Sequence, residues 1–171
     1  FEPNSIYATI NLAARLNKRF GNVGVAIQAN LYRTHKDLEL LLENNVSVRL
    51  VKGAYKEHED SAYQTSDAIG GSFFNHAANL YSHKSNRPAI ATHDQGLLDD
   101  IEELIPKPEF FEYEFLYGIR RDIQEKFKNK GYKVRIYIPF GEDWMPYTMR
   151  RLKEWKNLVF VIKNIFKEWC K

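Results

Sequence analysis

The sequence predicts an α/β fold around a parallel sheet, because short β-branched or aromatic runs alternate with segments of helical periodicity along the 171 residues. Five such runs occur, at about residues 23–29, 46–51, 88–92, 110–115 and 133–139. Strands that alternate with helices form right-handed βαβ units, whose strands lie parallel in one sheet. With 44% hydrophobic residues the chain can bury one core, so we expect a single domain over residues 1–171.

The first two helices are predicted from helical spacing and from capping residues. The opening helix has its apolar face at Ile6, Ile10, Ala13, Leu16 and Phe20. Asn4 or Ser5 is expected to cap it, because short polar side chains accept hydrogen bonds from the first free N–H groups. Thr34 with Asp37 three residues later predicts a capping box for a second helix over residues 38–42.

The later helices are predicted from the same spacing. Three of them are expected between the later strands, around residues 73–81, 97–104 and 119–127. Terminal helices are expected over residues 144–171, with an apolar face at Leu158, Ile162, Ile165 and Trp169.

Composition and spacing exclude several functional classes. The formal net charge of +3 comes from interspersed residues of both signs, so no basic stripe indicates a nucleic-acid partner. The turns contain no G-x-G-x-x-G or Walker sequence, which removes the usual support for Rossmann and P-loop folds. A single cysteine, Cys170, favours a reducing compartment, so we expect a cytoplasmic chain. No metal site is expected, because metal-ligand spacing is absent around His35, His58, His76 and His83.

A (β/α)8 barrel of the TIM type is the architecture that remains, and the chain is expected to supply part of it. A complete barrel of eight strands takes about 250 residues, whereas five strands are predicted here in 171 residues. The last predicted strand is followed by terminal helices. We therefore expect the five carboxyl-terminal βα units, with the missing units on the amino-terminal side.

Polar residues share one face of four predicted strands. Residues two apart in a strand point to the same side of the sheet. In a barrel the polar set faces the interior, where an unpaired charge costs several kcal/mol. The charges of this polar set could be compensated by ion pairs, such as Arg49 with Glu112, or by a ligand at the carboxyl ends of the strands. Because the pattern recurs on four strands in register, it favours the ligand. This set comprises Gln28, Asn30, Ser47, Arg49, Glu112, Glu114, Arg135 and Tyr137.

A series of motifs follows the strands in order. They are AIQANLY at residues 26–32, VRLVKGAY at 48–55, ATHD at 91–94, FEYEFLYG at 111–118, VRIYIPFG at 134–141 and YTMRRLKE at 147–154. In order and spacing they resemble the motifs of flavin-dependent proline dehydrogenases over residues 23–154. The resemblance implies a barrel that holds FAD, oxidises L-proline to Δ1-pyrroline-5-carboxylate and passes the electrons to a quinone. Glu114 departs from the family pattern, which usually has glutamine at this place.

The resemblance also implies cofactor contacts for residues on these motifs. Arg49 would lie beside the reactive edge of the flavin, where a fixed cation stabilises the negative charge of the reduced ring. Gln28 would form a hydrogen bond with the ring, and Gly53 would permit a close backbone approach. Thr92 and His93 would contact the ribose or pyrophosphate. Other implied cofactor contacts are Lys52, Ala54 and Glu114.

The substrate site is implied in the same way. Arg150 and Arg151 would clamp the carboxylate of proline, because guanidinium groups bind carboxylates bidentately. Tyr137 would pack on the pyrrolidine ring, Glu154 would orient an arginine, and hydride would pass from the carbon next to the ring nitrogen to flavin N5. The pocket would be closed by Tyr55 and Tyr147.

Two other functions stay open on the residues alone. Lys52, at a strand end, could form a Schiff base in an aldolase-like barrel. Alternatively, the chain could be an inactive half-barrel that serves assembly. The expected partners are L-proline, a quinone, and either the missing amino-terminal barrel segment or a second copy of the chain. A peripheral position at a membrane would give access to the quinone.

Overall fold

The computed structural model describes residues 3–53, 57–105, 109–117, 119–138 and 140–141. Its helices are α1 (Pro3–Phe20), α2 (Thr34–Glu43), α3 (Ser66–Ser82), α4 (Gln95–Leu104) and α5 (Arg121–Asn129). Its strands are β1 (Gly24–Gln28), β2 (Ser47–Val51), β3 (Ala89–Ala91), β4 (Glu112–Leu116) and β5 (Lys133–Tyr137). None of the described helices is long and apolar enough to cross a membrane. The terminal helices expected over residues 144–171 lie outside the described residues.

The strands all lie parallel in one sheet, in the order in which they follow along the chain. Every strand begins and ends within two residues of its predicted bounds. The predicted α/β fold class is confirmed. A helix connects each strand to its neighbour, as in a βα barrel, and β1 and β5 are the outer strands of the described sheet.

The core lies between the sheet and the helices. Leu50, Ile90, Tyr113 and Phe115 alternate with the residues on the other face of β2, β3 and β4, and each is at most 1% exposed. Full burial of one large apolar side chain stabilises the fold by about 1.5–3 kcal/mol. The polar face of these strands therefore points away from the helices. The helices contribute Leu38, Leu41, Phe73, Leu80, Leu98, Ile101 and Phe127 to the same cluster.

All five helices begin at residues other than those predicted, and the starts of three of them have local causes. Helix α1 already includes Pro3, which suits a first helical turn, so the expected cap at Asn4 or Ser5 is wrong. Helix α3 begins earlier than expected because the Thr65 side chain caps it. Asp94 caps α4 in the same way, by accepting a hydrogen bond from the third backbone N–H that follows it.

The capping box predicted at Thr34 and Asp37 is also wrong. Thr34 Oγ1 donates a hydrogen bond to the carbonyl oxygen of Gln28, 2.5 Å away. Asp37 instead accepts two hydrogen bonds from Arg33, at 2.7 and 2.9 Å. The threonine hydroxyl therefore ties the start of α2 to the carboxyl end of β1, which fixes the position of Gln28.

Candidate functional site

The face of the sheet that points away from the helices carries the predicted polar side chains. Arg49 is partly exposed between the fully buried Val48 and Leu50. On β5, Arg135 and Tyr137 are exposed. Neither Arg49 nor Tyr137 turns back against the helices, so the two side chains lie on one face, as the alternation along the strands predicts.

An ion pair joins β2 to β4 across β3. The Nε atom of Arg49 lies 2.5 Å from Oε2 of Glu114, and the two side chains are 42% and 8% exposed. The N–H of this nitrogen is not directed well enough at the oxygen to form a hydrogen bond, so the contact is mainly electrostatic. On this face β3 carries only Ala89 and Ala91, whose small side chains leave room for the arginine to pass.

A second ion pair joins β5 to β4. Arg135 Nε lies 2.7 Å from Oε1 of Glu112, and Nη2 donates a hydrogen bond to Oε2 at 3.2 Å. Because Arg135 takes both oxygens of Glu112, Arg49 contacts the next carboxylate along β4. The pair of Arg49 with Glu112, which served as an example of how these charges could be satisfied, does not form. The two carboxylates of β4 are instead neutralised by arginines of β5 and β2.

Lys52, directly after β2, pairs with the residue that caps α4. Its Nζ atom lies 2.8 Å from Oδ2 of Asp94, and both side chains are partly exposed. Burial raises the pKa of Asp94, but the hydrogen bond and the charge of Lys52, together with the backbone N–H groups of Leu97 and Gly96, outweigh it and leave that pKa below its usual value. A Schiff-base lysine must present its Nζ atom to a substrate carbonyl, whereas the Nζ atom of Lys52 is held by Asp94. The contact therefore disfavours Lys52 as a nucleophile.

Gly53 makes room for Asn30. Gly53 has a φ of +110°, in the left-handed region that favours glycine, and a Cβ at this position would collide with the side-chain amide of Asn30. An amide of the chain itself therefore lies close to Gly53, and the approach of a cofactor to this backbone stays a prediction. Asn30 is 4% exposed, and its Oδ1 has no hydrogen-bond partner within the described part of the chain. The parity pattern included Asn30 but gave no sign of this contact.

Thr92 and His93 directly follow β3, at the edge of the sheet where the strands have their carboxyl ends, which we call the rim. Both accept hydrogen bonds from other residues of the chain there. Thr92 Oγ1 accepts a hydrogen bond from the N–H of Asp94 at 3.2 Å. His93 Nε2 accepts one from the N–H of Leu116 at 3.1 Å, so the ring is neutral and carries its proton on Nδ1. Burial, with a smaller contribution from the charge of Arg120, lowers the pKa of His93 to about 4. The ring therefore bridges β3 and β4 beyond the point where their ladder ends.

Gln28 and Tyr137 occupy the outer strands of the described sheet. Gln28 ends β1, and no hydrogen bond among the described residues involves its side-chain amide. Tyr137 ends β5 in register with Leu116 and is 48% exposed. The face therefore has an amide on one outer strand, an aromatic ring on the other, and paired charges between them.

Several predicted site residues lie outside the described residues, and their roles stay predictions. They are Ala54, Tyr55, Tyr147, Arg150, Arg151 and Glu154.

The composition of this face suits an organic ligand with hydrogen-bond acceptors. Arg49 offers a partly exposed guanidinium, and Gln28 offers an amide with no partner in the described chain. A flavin ring presents carbonyl and nitrogen acceptors to such donors, so these residues fit the group. Within the described residues no cluster of three or more His, Cys, Asp or Glu side chains could hold a metal ion.

Two cavities of the described residues lie away from this face. A cavity of about 590 Å³ lies between α3 and α4 and is lined by Phe74, Leu97 and Leu104 among others. A second, of about 330 Å³, lies beside the loop after β1 and includes His35 and His76. Burial and then the nearby His35 lower the pKa of His76. Both cavities lie outside the face that carries the predicted chemistry.

Comparisons with known sequences point to one family. The proline dehydrogenase family profile matches residues 4–161. The chain is 35% identical over 166 residues to proline dehydrogenase 1 of Bacillus subtilis (strain 168), covering 94% of this chain and 54% of that protein. It is also 35% identical over 153 residues to the proline dehydrogenase of Deinococcus radiodurans, covering 85% of this chain and 48% of that protein. The chain spans about half the length of the curated relatives it matches.

Solved structures agree with the sequence comparison. Proline utilization A (PutA) from Bdellovibrio bacteriovorus, inactivated by N-propargylglycine, superposes with a TM-score of 0.79 at 28% identity, covering 89% of this chain and 19% of that chain. PutA from Corynebacterium freiburgense gives a TM-score of 0.71 at 21% identity, covering 91% of this chain and 20% of that chain, which shows a shared fold alone.

Proposed function

Because the chain belongs to the proline dehydrogenase family, we propose that it supplies the carboxyl-terminal βα units of a barrel that oxidises L-proline to Δ1-pyrroline-5-carboxylate. FAD is the proposed cofactor and a quinone the proposed electron acceptor. The supporting observation is that Gln28, Arg49 and Tyr137 lie on the one sheet face that the helices leave uncovered. In βα barrels the reaction takes place at the carboxyl ends of the strands.

The proposed cofactor contacts follow from the charges and donors of this face. FAD, when bound, accepts the electron pair that leaves the substrate. Arg49 supplies a fixed positive charge that favours the reduced ring, and Gln28 supplies an amide for the ring edge. Lys52 and His93 are held by Asp94 and by the backbone of β4, so they shape the rim on which the rest of the cofactor would rest.

The proposed substrate contacts combine one described residue with residues outside the described ranges. The exposed ring of Tyr137 can pack on the pyrrolidine ring and select for its size. Arg150 and Arg151 would bind the carboxylate, with Glu154 orienting one of them. The pocket would be closed by Tyr55 and Tyr147.

The remaining barrel strands are proposed to come from elsewhere. The resemblance to proline dehydrogenases implies a lysine and an aspartate on earlier strands that complete the substrate site, and the motifs of this chain do not include those strands. A longer polypeptide, a separate polypeptide or a second copy of the chain would have to supply them. The proposed unit over residues 1–171 is therefore one part of a catalytic barrel.

The visible spectrum of the purified protein tests this function. We expect a flavin spectrum after incubation with FAD, and bleaching of the flavin band when L-proline is added without oxygen. Arg49→Gln should weaken FAD binding, whereas Arg135→Gln is the matched control, because Arg135 lies on the same face but on the outer strand β5. Both substitutions remove one guanidinium that pairs with a glutamate of β4.

A colourless protein without proline-dependent dye reduction would contradict the proposal and would favour an assembly role for the half-barrel. Equal loss of FAD in the two arginine variants would contradict the role given to Arg49. A colourless protein could lack a flavin site, or it could lack only the remaining barrel strands. To distinguish these two cases, the same spectrum is recorded after the amino-terminal half of a proline dehydrogenase has been added as a separate polypeptide.

A further inference from the structure

Glu114 is the most deeply buried charged side chain on the polar face of β4. Its side chain is 8% exposed, whereas that of Glu112 on the same strand is 26% exposed. A carboxylate removed from water is tolerated only when a cation or good hydrogen bonds compensate for its lost hydration. Arg49 is the cation that contacts it among the described residues.

The contact between Arg49 and Glu114 crosses the whole width of strand β3. Neighbouring strands lie about 4.8 Å apart, so an arginine on β2 must span about 10 Å to reach the second strand beyond it. Ala89 and Ala91 on β3 allow this, because their side chains end at Cβ. Arg49 is in register with Ala89, and Glu114 lies two residues after the partner of Ala89 on β4. The guanidinium is thereby drawn towards the carboxyl ends of the strands.

We propose that Glu114 is a positioning residue, which holds the guanidinium of Arg49 over β3 and offsets its charge. On this view Glu114 sets how strongly the rim favours reduced flavin over oxidised flavin. The inference rests on the proposed function, and it replaces the direct cofactor contact that the sequence suggested for Glu114. Glu112 has no such role, because it binds Arg135 on the exposed outer strand.

The redox experiment compares Glu114→Gln with Glu112→Gln. Both changes keep the shape of the side chain and remove one negative charge from β4. With Gln at position 114, Arg49 keeps an uncompensated charge, so the ratio of the affinities for reduced and oxidised FAD should rise about tenfold, the size expected for one charge acting over about 10 Å near a protein surface. Glu112→Gln should change that ratio less than about twofold. The measurement is a spectroelectrochemical titration of the flavin.

A second experiment needs no flavin. In ¹⁵N-labelled protein the exchange rate of the Arg49 Nε–H with solvent reports how well the contact with Glu114 keeps this buried nitrogen away from water. We expect Glu114→Gln to speed this exchange about tenfold, because a neutral amide binds the guanidinium less strongly than a carboxylate does. Ala91→Leu should do the same by filling the path across β3, and Glu112→Gln should leave the Arg49 resonance unchanged.

The two experiments separate the possible failures. If no variant binds FAD, the proposed function and the redox effect fail, and the exchange rate alone decides whether Glu114 positions Arg49. If the exchange rate and the affinity ratio are the same in Glu114→Gln as in the unsubstituted protein, the inference is overturned. Equal effects of the two glutamine substitutions would overturn it as well, since Glu112 does not contact Arg49.

Discussion

Because His93 is mostly buried and has a lowered pKa, we expect the folded chain to lose stability at mildly acidic pH. The Leu116 N–H donates to its Nε2, and a proton on that nitrogen would break the bond and place a charge in a mostly buried site. Burial and the nearby Arg120 hold the pKa of His93 at about 4 in the folded chain. In the unfolded chain the same imidazole has its usual pKa of about 6.5.

The direction in which pH changes the free energy of unfolding follows from which state binds the proton. Between pH 6.5 and pH 4 the unfolded chain binds a proton on this ring and the folded chain does not, so lowering the pH favours unfolding. One pKa unit corresponds to about 1.4 kcal/mol, so the full difference removes about 3 kcal/mol of unfolding free energy. Above pH 6.5 the ring is neutral in both states, and this contribution to the pH dependence vanishes.

Urea unfolding at pH 7 and pH 4.5 measures the effect. The His93→Gln variant does not titrate, and its side-chain oxygen can still accept the bond from Leu116. Its free energy of unfolding should fall by about 2.5 kcal/mol less than that of the unsubstituted chain between the two pH values. His58→Gln is the control, because His58 is an exposed histidine. If His93→Gln and the unsubstituted chain lost equal stability, the neutral buried imidazole would be refuted.

Three further predictions concern individual residues. Gly53→Ala should lower the free energy of unfolding by about 2 kcal/mol or more, through its left-handed φ and its collision with Asn30, and Asn30→Gly should recover part of that loss in the double variant. Asp94→Ala should cost about 1 kcal/mol more than Asp94→Asn, since asparagine keeps the cap of α4, as denaturant midpoints would report. In the complete enzyme, Arg150→Ala or Arg151→Ala should weaken proline binding by about 2–5 kcal/mol, and an unchanged KM in both would contradict the carboxylate clamp.

The strands and their faces could be predicted because both depend on local sequence. The run from Val46 to Val51 is apolar at every second position, and this alternation decides which side Arg49 occupies whatever the neighbouring strand is. Its partner could not be predicted in the same way. The choice between Glu112 and Glu114 depends on the register of β3 against β4, which is set by long-range packing.

The predicted capping box was wrong for a related reason. Thr34 and Asp37 have the spacing of a capping box, and nothing nearby in the sequence argues against it. In the fold the hydroxyl meets the carbonyl oxygen of Gln28, which becomes available because β1 ends there. Gly53 is a similar case. Its neighbour Asn30 belongs to the preceding βα unit and is brought there by the parallel pairing of β1 with β2, which the local sequence does not show.

Charge pairing on the polar face has a consequence for closing a barrel. Closure would bury this face, including Arg135, whose side chain is now 61% exposed. Burying a lone arginine or glutamate would cost several kcal/mol, whereas a pair that already shares two contacts loses much less on leaving water. Arg135 and Glu112 are paired in this way before any further strand covers them. Arg49 likewise pairs with a carboxylate that is already buried, so neither pair would leave an uncompensated charge if further strands enclosed this face.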